Sequence, residues 1–165
     1  MLKPAIQYQD QLATLYQAAW FDDRYKYYFT SHHRILKLED NTWEWHEFVS
    51  IDGEGKVLGY IYYRIDRWTN NCYNFGAINF TNNPLFGRDV IQVIRDIFEK
   101  FNFNKLHFSV VVGNPVEKTY DRLCQKYGGH ILCIEKAETK LMDGKYHDMK
   151  RYEIFREDYL TAVRK

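Results

Sequence analysis

One segment, Lys105 to Arg156, narrows what this chain can fold into more than any other. Leu106 to Val112 is apolar at nearly every position, as suits a strand covered on both faces and paired in parallel. It ends in Gly113-Asn114-Pro115, and Pro is pre-set for the first turn of a helix. From about Val116 to Tyr127, the residues Val116, Tyr120, Leu123, Cys124 and Tyr127 share one helical face. Gly128-Gly129 then supplies the C-cap. Ile131 to Leu141 and Tyr146 to Phe155 read as an antiparallel pair joined around Asp143-Gly144. The stretch from Phe86 or Gly87 to Phe101 carries Val90, Ile91, Val93, Ile94, Ile97, Phe98 and Phe101 on a broad apolar stripe, so a helix returns the chain to the buried strand.

Upstream, Leu12, Leu15, Tyr16 and Ala19 follow Asp10 at helical spacing, and Asp22-Asp23 is placed to cap a second short helix. Ser31 to Asn41 is polar and least regular, which predicts a mobile loop. Trp43 to Ile51, Val57 to Ile65 and Tyr73 to Phe80 read as a meander of three strands. Its turns are Asp52-Gly53-Glu54-Gly55 and Trp68 to Asn71. No linker or repeat interrupts the 165 residues, so the expected class is one α+β domain over residues 1–165.

Aromatic residues make up 18% of the chain, with 14 Tyr. Half-buried strands explain them, because Tyr keeps a polar tip in water while its ring packs. A formal net charge of +1, with Lys and Arg dispersed among Asp and Glu, speaks against a nucleic-acid surface. The 3 Cys (Cys72, Cys124, Cys133) are odd in number and lack metal-ligand spacing, which suggests a reducing compartment and no metal. No segment reads as a signal peptide or approaches the roughly 20 apolar residues of a membrane span, so the expectation is cytoplasmic. Tyrosine-rich strands suit pairing across a homodimer.

Chemistry is concentrated at two junctions. Phe80 to Asp89 leads from a strand into a helix N-terminus, a natural anion site. There Gly87 allows close approach of a diphosphate and Arg88 adds charge, or Gly87 merely serves the turn. Asn114, at the other junction, either bridges to a ligand carbonyl or to the splayed backbone of the neighbouring strand, or caps its own helix. Tyr120 and Cys124 lie one turn apart on the next helix, each able to offer a proton to a thiolate or simply to pack. His46 near Glu44 and Glu47, together with His32-His33, forms a candidate proton-handling cluster. His147-Asp148 reads as a structural hydrogen-bonding pair.

The order of elements, over nearly the whole chain, resembles the GCN5-related N-acetyltransferase superfamily. Lys56-Val57-Leu58-Gly59-Tyr60-Ile61 looks like the family's strand before the cofactor strand. Ile97 to Leu106 and Leu141 to Asp148, followed by Arg151-Tyr152-Glu153-Ile154, are similar to its ribosomal-protein-acetyltransferase branch. The resemblance implies a mixed sheet of six or seven strands with a splayed pair, flanked by about four helices. It implies acetyl-CoA as donor, with the backbone of Ile78, Asn79 and Phe80 along the pantetheine arm and Asn82, Gly87, Arg88 and Asp89 around the diphosphate. Asn114 and Tyr120 would face the thioester, Tyr120 as proton donor, although counting back from Gly128 puts Cys124 at that place. A primary amine, small or at a protein N-terminus, would attack directly in a ternary complex.

The chain also departs from the family. The loop pattern Q/R-x-x-G-x-G/A becomes Asn82-x-x-Leu85-x-Gly87, and Pro84 lacks an N–H. That leaves a second reading, a weakly active or inactive protein of this fold that binds acyl-CoA or a partner. The cofactor strand offers no carboxylate as general base. The acceptor would be chosen by Trp20 to Trp45, whose Asp22, Asp23, Glu39, Asp40 and Glu44 suit a cationic amine.

Overall fold

The computed structural model describes residues 1–30, 35–39 and 42–164. Its strands are β1 (Leu2–Pro4), β2 (Trp45–Ile51), β3 (Val57–Asp66), β4 (Asn71–Asn79), β5 (Lys105–Val111), β6 (His130–Lys140) and β7 (Tyr146–Phe155). They form one sheet in the order β1-β2-β3-β4-β5-β7-β6. Among the described residues only β4 and β5 pair in parallel. The helices are α1 (Gln9–Trp20), α2 (Pro84–Arg95), α3 (Glu117–Lys126) and α4 (Arg156–Val163). The expected mixed sheet with about four helices is what the chain forms.

Alternation along the strands divides the core between the two faces of the sheet. Cys72, Phe75, Leu106, Phe108, Tyr152 and Ile154 pack under α2, α3 and α4. Val49, Val57, Tyr60 and Ile78 face the other way, toward α1 and the segment after it, where Leu12, Tyr16 and Phe29 meet them. Gly59 has a steric reason. A Cβ there would lie 2.2 Å from the Phe86 ring and 2.5 Å from the Ile78 carbonyl, so its absence lets α2 settle against β3.

One irregularity shapes the centre of the sheet. Between the pairs Cys72↔Leu106 and Phe75↔Phe108, β4 has two residues (Tyr73, Asn74) where β5 has only His107. The β3 side shows the same surplus, since Tyr63 alone faces Asn74 and Phe75 between Tyr62↔Gly76 and Arg64↔Tyr73. This is a β-bulge, and Asn74 takes it up with a φ of 53°, a left-handed conformation that Asn tolerates better than most residues. The extra residue keeps both Cys72 and Phe75 on the helix face although they are three apart.

The structure corrects several expectations. Leu2–Pro4, ahead of the first helix, is a sheet strand, β1, paired with β2. β2 begins at Trp45 because residues 42–44 turn. The second short helix is a 3-10 turn, Asp23–Tyr25, capped by Asp22. Regular α2 stops at Arg95 and a π turn, Asp96–Lys100, carries it on, closed by the Phe101 N–H on the Asp96 carbonyl at 2.9 Å. α4 had no sequence reading at all. His147 and Asp148 do not pair with each other, since strand neighbours point to opposite faces. His147 bonds Asp143 at 3.0 Å, while Asp148 holds Lys136 and the Ala137 N–H. Of the loop expected at Ser31 to Asn41, residues 31–34, 40 and 41 lie outside the described residues.

His46 gives the fold a pH dependence. It stacks on Tyr63 at 5.1 Å and its Nδ1 lies 3.2 Å from the Tyr63 hydroxyl. Burial, then the nearby Arg67 charge, holds its pKa below the usual imidazole value. The unfolded chain therefore binds the proton more readily, and stability should fall as pH drops below about 6.5. Urea midpoints at pH about 7.5 and 5.5 should differ, and His46→Gln should shrink the difference. An equal difference in the variant would assign the effect elsewhere.

Candidate active site

Past Phe75 and Phe108 the two parallel strands diverge, and a cleft of about 410 Å3 opens. One wall is the edge of β4 from Asn74 to Ile78. The facing wall is Ser109 to Val111 of β5, with Asn114, Val116 and Tyr120 beyond it. Tyr16, Tyr27 and Tyr28, Lys37 and Glu39, and Glu47, Tyr60 and Tyr62 are among the other lining residues.

Three of these phenols, Tyr16, Tyr60 and Tyr62, are held neutral. Burial pushes the pKa of Tyr16 up to about 12, with a smaller contribution from Tyr62. Burial likewise raises Tyr60 and Tyr62, and Glu47 adds to both shifts. Two carboxylates stand among these neutral rings. Glu47 accepts the Tyr60 hydroxyl on Oε1 and the Glu39 N–H at 2.9 Å on Oε2.

Of the roles left open for Asn114, the one seen directly is the local turn into its own helix. It is buried, and its Oδ1 accepts the Val116 N–H at 3.1 Å, closing a turn just ahead of α3 rather than capping the helix itself. Its side chain also hydrogen-bonds Tyr28, which partly offsets the rise that burial gives that phenol. Tyr120 stands edge-on to Phe108 at 5.3 Å and to Tyr152 at 6.2 Å. Burial, then Tyr28 and Tyr62, raises its pKa, so its proton is retained in the resting cleft. Cys124 is absent from the lining. Its sulfur would lie 2.7 Å from a Cβ on Gly129, and burial raises the thiol pKa to about 11. Of the two candidates facing a thioester, the structure brings Tyr120 to the cleft.

The remaining expected residues are placed differently. Ile78 lines the cleft, but the Phe80 N–H returns to the Leu58 carbonyl of β3 at 2.9 Å, and the Asn79 carbonyl accepts the Tyr25 hydroxyl at 3.0 Å. The β4 edge in the cleft thus lies mostly upstream of the expected Ile78 to Phe80. In the following loop Asn79 Oδ1 accepts the N–H groups of Thr81 and Asn82 at 3.1 and 3.0 Å. Asn83 caps α2 by accepting from Leu85 at 2.9 Å. Gly87 has open space in front of it, and Arg88 is exposed, 4.0 Å from Asp89. Asp89 is turned inward: its buried carboxylate accepts the Met1 ammonium at 2.8 Å and the Ser50 hydroxyl at 2.7 Å.

The proposed His46, Glu44 and Glu47 cluster is split. Strand neighbours alternate, so Glu47 enters the cleft while His46 stacks on Tyr63 across the sheet. Glu44 pairs with Arg64 at 2.8 Å. Asp22 is held by Arg24, and His32, His33 and Asp40 lie outside the described residues. Among the described residues, no group of His, Cys, Asp or Glu is placed to hold a metal. Glu47 as a cleft carboxylate, with Tyr60 and Tyr62 beside it, had a signal in the sequence. The strand period puts Tyr60 and Tyr62 on one face, and pairing sets Glu47 opposite Tyr62.

No protein-family model and no curated protein matches the chain. Solved structures do. A spermidine N-acetyltransferase from Vibrio cholerae, in complex with CoA and spermine, superposes with a TM-score of 0.75 at 19% identity, over 97% of each chain. A GCN5-related N-acetyltransferase from Brucella melitensis gives 0.70 at 16% identity, over 99% of this chain and 78% of that one. The fold is therefore that of the GCN5-related N-acetyltransferases.

Proposed function

We propose that this chain is an N-acetyltransferase that moves an acetyl group from acetyl-CoA to a primary amine by direct attack in a ternary complex. The observation that carries the reading is the parting of β4 and β5 with Asn114 and Tyr120 at the resulting cleft. Such a cleft aligns a thioester carbonyl with an amine, and that orientation makes the attack effectively unimolecular. The amine nitrogen bonds to the carbonyl carbon and the C–S bond breaks. Nitrogen sheds two protons, one to solvent or Glu47 before attack and one, by way of the Tyr120 hydroxyl, to sulfur. The chemistry asks for no metal.

Glu39 and Glu47 outnumber Lys37 among the described lining residues and favour an organic ammonium as acceptor. The spermine in the Vibrio structure is one member of that class, and a protein N-terminus is another. A cytoplasmic setting and a homodimer belong to the same reading. Kinship with the ribosomal-protein branch rests on sequence motifs alone. A second reading, an acyl-CoA or partner-binding module, is favoured by the N–H groups already spent in the loop after β4.

Calorimetric titration with acetyl-CoA, followed by thioester loss over a panel of amines, separates the two. Saturable binding with amine-dependent loss is expected. Binding without loss across the panel selects the module, and no heat at millimolar acetyl-CoA removes the enzyme.

A further inference from the structure

The loop between β4 and α2 satisfies most of its own backbone donors. From Phe80 to Phe86 each backbone N–H has a partner: Phe80 on Leu58, Thr81 and Asn82 on the Asn79 side chain, and Asn83 on the Thr81 hydroxyl at 3.4 Å. Leu85 donates to the Asn83 side chain and Phe86 to the Asn83 carbonyl at 3.1 Å, while Pro84 has no N–H to give. A helix N-terminus binds a diphosphate through donors that lack partners. Here a diphosphate would first have to displace three side-chain caps. An independent contact lies beside the same loop, where the Tyr25 hydroxyl donates to the Asn79 carbonyl and its ring lies 6.3 Å from that of Phe80. The Arg88 side chain is exposed and lies beside the Asp89 carboxylate rather than facing the loop alone.

We infer that donor recognition in this cleft ends with the pantetheine thioester, and that the nucleotide diphosphate of CoA contributes little to it. This rests on the acetyltransferase reading and specifies its donor class: an acyl thioester of a pantetheine arm, with or without the nucleotide. The apolar and backbone surface between Asn74 and Val111 serves the arm.

The test is a donor series on the unaltered protein with one amine that it accepts: acetyl-CoA, acetyl-4′-phosphopantetheine and acetyl-pantetheine. Two charge-assisted bonds from a loop to a diphosphate would be worth roughly 100-fold or more in kcat/KM. The expected result is kcat/KM for both short donors within about tenfold of acetyl-CoA. A larger preference for acetyl-CoA overturns the inference, and the phosphopantetheine arm shows whether the nucleotide or the 4′-phosphate is responsible. If no donor is consumed and acetyl-CoA gives no heat, the acetyltransferase reading itself falls and takes the inference with it. Asn79→Ala frees the Thr81 and Asn82 N–H groups. With the melting temperature retained, it should tilt the series toward acetyl-CoA, and an unchanged series would count against the inference. Should that variant not fold, the donor series on the unaltered protein decides alone.

Discussion

Tyr120→Phe should lower kcat on the order of 100-fold, the scale of a positioned proton donor, while acetyl-CoA affinity by calorimetry stays within about threefold. The substitution removes only the hydroxyl. The ring keeps its edge-on contacts with Phe108 and Tyr152, so the walls of the cleft are preserved. Burial raises the Tyr120 pKa, and the phenol keeps its proton until a thiolate forms beside it. Tyr28 and Tyr62 are near enough to act on the Tyr120 charge, and both carry raised pKa values of their own. An unchanged kcat would mean that sulfur takes its proton from elsewhere or leaves without one.

Phe108→Ala should cost about 3–5 kcal/mol, the usual range for emptying a buried aromatic site. Phe108 is the last β5 residue in register with β4, so it sits at the fork of the cleft. Its ring stacks on Tyr152 at 4.9 Å, and it meets Phe75 and Tyr120 edge-on. Removing it takes away the surface that fixes the Tyr120 ring. Urea denaturation would register the loss as a lower midpoint at the same slope. Phe108→Leu should restore most of the stability, because it refills most of the volume. A cost near zero for the Ala variant would show that the fork closes over the gap.

The sequence was most legible where periodicity and punctuation agree. The apolar run in β5, the stripe of α2 and the Asp143-Gly144 turn each follow from side-chain spacing, and they locate Asn114 and Tyr120. Contacts between distant segments were not legible. Nothing in Asp89 announces the Met1 ammonium 88 residues away, and nothing in Tyr25 announces the Asn79 carbonyl. The spent N–H groups of Thr81, Asn82 and Leu85 depend on how Asn79 and Asn83 turn their side chains. Asn74 was hidden for another reason. Tyr73 to Phe80 reads as an ordinary strand, and a bulge changes the register rather than the composition.

That bulge bears on how a cleft of this kind arises or disappears in a lineage. With Asn74 present, β4 is one residue too long to match either neighbour at that point. Substitutions along the strand exchange side chains but leave the residue count alone. Loss of a single codon at Asn74 would set Tyr73 in step with His107 and leave Phe75 opposite Phe108, offering the parallel ladder an unbroken path through the centre of the sheet with the same residues downstream facing α1. Small deletions in this strand, more than changes of residue type, are therefore where relatives without the cleft should be sought.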